Sequence, residues 1–121
     1  MTINEKLLPN IDSGWLVLPL EENITAQSSN AIYTPQYRKI GNIVYVEGCV
    51  KGATANNTNL ATLPSGYRPV HQMRYVTGRN ASANATLQLS TSGVISLVGL
   101  TDGSTPTAST YIYIQISFIT N

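Results

Sequence analysis

Short runs of alternating apolar and polar residues, divided by polar loops, fill the chain after its first dozen positions. Over residues 42–51, Val44, Val46, Gly48 and Val50 fall on one face of an extended strand, and Ile43, Tyr45, Glu47 and Cys49 on the other. Gly41-Asn42 reads as a two-residue hairpin turn that pairs this strand with residues 36–40. Near the end of the sequence Ile112, Ile114, Ile116 and Phe118 point one way, and Tyr111, Tyr113, Gln115 and Ser117 the other. Four shorter runs lie between, at 60–63, 73–77, 86–90 and 94–100, with Ser92-Gly93 as the turn joining the last two. Residues 15–20 behave differently. Trp15, Val17 and Pro19 alternate with Leu16, Leu18 and Leu20, so both faces are apolar, which predicts a strand covered on both sides, one of them by a neighbouring subunit.

About eight short strands at this spacing predict an all-β domain, an antiparallel β-sandwich of jelly-roll type. The only helical signal is one turn at residues 4–8, stopped by Pro9. Residues 1–14 are expected to form a short irregular or helical leader and residues 15–121 the head domain. Loops at 54–59, 79–84 and 101–110 are rich in Asn, Ser, Thr and Gly.

Composition narrows the function. Hydrophobic residues make up 42% of the 121 positions, enough for one core without metals or disulfides, whereas only 11% are charged, against about a quarter in ordinary domains. A net charge of +1 with no basic run removes the electrostatic drive for nucleic acid. No stretch is long and apolar enough to span a membrane, and Glu5 and Lys6 interrupt the place of a signal peptide. The lone cysteine, Cys49, has no partner for an intramolecular disulfide and reads as a small buried hydrophobe.

Catalytic chemistry finds few footholds. The carboxylates are Glu5, Asp12, Glu21, Glu22, Glu47 and Asp102, and the single close pair, Glu21-Glu22, faces opposite ways on a strand. His71 is the only histidine and has no clustered metal ligands, and no nucleophile-elbow spacing occurs. The expectation is a non-enzymatic protein without cofactor or metal.

Two segments carry a family pattern: Tyr37-Arg38-Lys39-Ile40-Gly41-Asn42-Ile43-Val44-Tyr45-Val46-Glu47-Gly48 with Cys49-Val50-Lys51-Gly52, and Leu63-Pro64-Ser65-Gly66-Tyr67-Arg68-Pro69. With the later turn and final apolar strand, they resemble the C-terminal receptor-binding heads of tail fibre and baseplate proteins from phages of Gram-positive bacteria, over a region from about Trp15 onward. The resemblance implies a trimeric jelly-roll head at the virion tail tip, made in the host cytoplasm, that binds bacterial cell-wall saccharide and contacts other tail or baseplate proteins. Family members carry a shoulder or stalk before the head, and this chain offers little before Trp15. The Gly-Tyr-Arg-Pro turn reads as structural: Pro64 and Pro69 fix φ, Gly66 permits a positive φ, Tyr67 packs inward and Arg68 clamps backbone carbonyls or a carboxylate.

Sugar sites combine an aromatic face with planar polar groups. The candidates outside the core pattern are His71, Arg74, Tyr75, Arg79 and Asp102, around one strand start and the long loop before the last strand. Each has an ordinary structural alternative, as a solvated, packed or ion-paired side chain, and Trp15 reads as an anchor for its strand. Competing functions are a virion accessory domain that binds no sugar and a small polysaccharide depolymerase.

Overall fold

The alternation becomes two antiparallel sheets in the computed structural model, which describes residues 11–80 and 83–120. The strands are β1 (Leu16–Val17), β2 (Thr25–Ala26), β3 (Gln36–Ile40), β4 (Ile43–Lys51), β5 (Thr58–Thr62), β6 (Met73–Thr77), β7 (Ala85–Leu89), β8 (Val94–Leu100) and β9 (Ile112–Ile119). The first sheet runs β1-β3-β4-β2, with β9 along the other side of β4; the second runs β5-β8-β7-β6. That second order is a Greek key, the connection expected of β-sandwiches. A 3-10 turn at Ala31–Tyr33 is the one helical piece among the described residues. The helical turn expected at residues 4–8 lies outside them.

One core joins the sheets. Val44, Val46, Val50, Ile112, Ile114 and Phe118 come from the first, and Leu60, Leu87, Leu89, Ile95 and Leu97 from the second. Ile116, expected with them, is only partly buried. Its strand is held at one end where Arg79 bridges Ile112 and at the other where Pro69 bridges Thr120, and Ile116 sits in the stretch between. Cys49 is fully buried, and burial pushes its thiol up to about 11. It is an inert packing group, as its strand position suggested.

The turns follow their residues. Gly41 takes φ +61 while Asn42 does not, the sign pattern of a type II′ hairpin turn. At Gly93 (φ +88) an added Cβ would lie 2.6 Å from Leu63 O and 2.9 Å from Arg68 Cγ, so the β7–β8 turn needs glycine to lie against the Gly-Tyr-Arg-Pro segment. Arg68 Nε in turn donates to Leu63 O (2.9 Å), and the Tyr67 ring meets Tyr37 edge-on at 4.9 Å. The clamp and the inward aromatic expected of this motif are both present.

Residues 15–20 do not form one strand. Leu18 N donates to Pro35 O in the first sheet, while Pro19 O accepts from Thr62 N and Glu21 N donates to Leu60 O in the second. The segment crosses between sheets at Pro19, which has no N–H to extend a ladder. Its apolar residues therefore serve two sheets in turn. Leu18 is buried, but Trp15 and Leu16 remain partly open and Val17 is 81% exposed. Ahead of this segment Asp12 bridges Ile40 and Ser13 N donates to Lys39 O.

Candidate functional site

Register across β3, β4 and β9 sets up the outer face of the first sheet. Arg38 lies opposite Tyr45 and Tyr45 opposite Ser117; one step along, Gln36 lies opposite Glu47 and Glu47 opposite Gln115. These are the alternate positions whose neighbours fill the core, so they face outward. Trp15, arriving ahead of β1, stands beside them. Together Trp15, Arg38, Ile40, Tyr45, Glu47, Gln115 and Ser117 line a groove of about 440 Å³, a size suited to a small ligand.

Two interactions hold its shape. Gln36 Nε2 donates to Glu47 Oε1 (3.0 Å), leaving the second carboxylate oxygen without a side-chain donor among the described residues. Arg38 makes a two-point fork with Asp12, Nε to Oδ1 at 2.8 Å and Nη2 to Oδ2, while its guanidinium lies 5.5 Å from the Trp15 ring centre. This cation–π approach leaves the indole 41% exposed, so Trp15 is both an anchor and an open aromatic surface.

The hydrogen bonds from Arg38 and from Gly14 N hold the Asp12 carboxyl down at about 2. Because its folded-state value lies below that of an unfolded aspartate, the clasp's contribution is full above about pH 4 and disappears as pH falls toward 2. Trp15 fluorescence is therefore expected to titrate with a midpoint between about 2 and 3. A midpoint near 4, or none in the wild type that is absent from Asp12→Asn, would mean that the clasp does not form in solution.

A smaller hollow of about 280 Å³ lies beside Ile11, Ser13, Lys39, Gly41 and Tyr67. Its cation is already committed, since Lys39 Nζ donates to Gly66 O (2.9 Å) and sits 5.7 Å from the Tyr67 ring centre.

The residues singled out from sequence are dispersed. His71 and Arg74 are exposed at the β6 end of the second sheet, and Arg74 Nε donates to Gln88 Oε1 (2.8 Å). Tyr75 turns the other way, into the core, where burial raises its hydroxyl's pKa. Arg79 and Asp102 form no ion pair among the described residues: bonds from the Ser104 hydroxyl and backbone hold the Asp102 carboxyl below its usual range, with the charge of Arg79 a smaller contribution. Thus Arg79 with Asp102 is one locality and His71 with Arg74 another. The groove residues Arg38, Tyr45, Glu47, Gln115 and Ser117 were not candidates. Their alternation marked them as outward-facing, but only the pairing of β4 with both β3 and β9 gathers them. Among the described residues no group of three or more His, Cys, Asp or Glu is placed to hold a metal ion, and no helix is long and apolar enough to cross a membrane.

No protein-family model matches the chain, and no curated protein matches it significantly. Among solved structures it is similar to the receptor binding protein (gp15) of Listeria phage PSA, with a TM-score of 0.71 and 22% identity, over 98% of this chain and 70% of that one. At that identity the likeness establishes the fold, a nearly all-β antiparallel sandwich.

Proposed function

We propose that this domain is the receptor-binding head of a phage tail fibre or baseplate protein, non-enzymatic, and that it holds bacterial surface saccharide in the groove of the first sheet. The observation that carries the reading is the groove itself, an exposed indole and phenol set among an amide, a hydroxyl and a carboxylate with a free oxygen. Aromatic faces pack on the C–H side of a sugar ring while planar polar groups take its hydroxyls. The fold shared with a phage receptor binding protein supports the setting.

The reading is tested by competition with phage adsorption, or by direct binding of the purified domain to host walls. Tyr45→Ala and Gln115→Ala are expected to weaken binding at least about tenfold each, because either would lose a ring contact or hydrogen bonds worth about 1.4 kcal/mol. His71→Ala and Arg74→Ala are expected to leave it unchanged. The reverse pattern would move the site to the β6 end of the second sheet. Release of reducing ends from the wall by pure protein would favour a depolymerase instead.

Assembly as a homotrimer belongs to the same proposal. Where the Gly41-Asn42 turn closes the first sheet, Ile11, Ile43 and Ile119 all stand exposed, and Ile43 lies directly opposite Ile119. Such a patch is ordinarily covered by a closed symmetric contact. Sedimentation should give three times the chain's 13.0 kDa. A monomer at micromolar concentration would remove the trimer. Three weak sites on one rigid head raise avidity about a hundredfold or more.

A further inference from the structure

We infer that the groove selects uncharged sugars over anionic wall polymers, an inference that rests on its being the saccharide site. The charges around it decide the matter. Of the residues lining it, Arg38 is the one basic side chain and Glu47 the one acidic. The guanidinium is engaged: two of its nitrogens grip the Asp12 carboxylate, and its central carbon lies over the Trp15 ring at 5.5 Å from the centre. Such a fork is the arrangement by which arginine would otherwise grasp a phosphate, and here a protein carboxylate occupies it. Among the described residues Glu47 accepts a single side-chain bond, from Gln36.

Among the described residues at the groove, an incoming ligand therefore meets one cation, Arg38, and two carboxylates, Glu47 and Asp12. A phosphodiester or uronate would face net repulsion at distances inside the Debye length of about 8 Å, where salt screens little. A sugar hydroxyl has the opposite experience, since it donates to the free oxygen of Glu47 and exchanges bonds with the Gln115 amide and the Ser117 and Tyr45 hydroxyls. Three other basic side chains likewise donate to carbonyl oxygens of the chain, Lys39 to Gly66 O, Arg68 to Leu63 O and Arg74 to Gln88 Oε1.

Trp15 is the sole tryptophan and lines the groove, so its fluorescence reports occupancy there. The full chain is titrated with neutral oligosaccharides of glucose, galactose and N-acetylglucosamine, and separately with glycerol-phosphate oligomers, at low and high salt. At least one neutral sugar is expected to give a saturable change whose affinity varies less than about twofold with salt, while the phosphate oligomer binds at least about tenfold more weakly. Preferential binding of the phosphate oligomer, weakening about tenfold or more with salt, would overturn the charge argument and leave the groove as a glycan site. No response to either class up to about 10 mM, where even very weak sites fill, would remove the groove as the saccharide site and this inference with it.

Discussion

Ile114→Ala is expected to lower the unfolding free energy by about 2–5 kcal/mol, with a fall in Tm on the order of 10–20 °C. Ile114 is 1% exposed, on the inward face of β9, and belongs to the core shared by both sheets. Truncation removes three carbons' worth of burial and leaves a cavity within the core shared by the two sheets. Its register partner is Gly48, which has no side chain to move into the space. Collapse around the cavity is therefore restricted, which places the cost toward the upper half of the range. Urea unfolding of the variant beside the parent measures it. A difference under about 1 kcal/mol would show that β9 does not present this face to the core.

Gly52→Ala is expected to cost at least about 3 kcal/mol, although it adds one methyl group. Gly52 sits at φ +115, and a Cβ there would fall 2.1 Å from the carbonyl oxygen of Asn23, itself at φ +71. The obstacle is backbone on the approach to β2, which pairs with the end of β4 through Thr25 opposite Lys51. Relief requires prising β2 from the sheet. Gly103→Ala is the matching control: φ is +79, but nothing lies within 4 Å of the added atom, so only left-handed strain of about 1–2 kcal/mol remains. Equal losses in the two variants would mean that the close approach of Asn23 to Gly52 is absent in solution.

Much of this fold was legible as local pattern. Period-two alternation located β4 and β9 to within a residue of their observed ends, because a half-buried strand must sort its side chains by face, and the turn residues beside them placed β3 and β8. Gly41-Asn42 and Ser92-Gly93 were legible for a different reason, the positive φ that only their glycines accept without strain. Residues 15–20 were misread because the same pattern arises from one strand covered twice and from a segment that visits two sheets. Only Pro19 hinted at the second. β2 carried no signal at all, since two residues cannot establish a period. The groove was half legible. Tyr45 and Glu47, like Gln115 and Ser117, were known to share a face within each strand, but which rows stand side by side depends on pairing between distant strands. No periodicity encodes that.

β4 is flanked by β3 through a two-residue turn, yet its other flank is β9, so that Val44 waits for Phe118 and Val50 for Ile112. At ribosomal rates of about 5–20 residues per second, several seconds separate the synthesis of those partners. During that interval the β3–β4 hairpin has one ladder unmade and its valines without the isoleucines that cover them. The pairing is strongly non-local, which places the chain among slow folders. The sheet that bears the groove is thus the last part of the molecule to become complete. Cells making it in quantity must keep a nascent hydrophobic hairpin from neighbouring copies until β9 arrives, and slower growth at low temperature should raise the soluble yield.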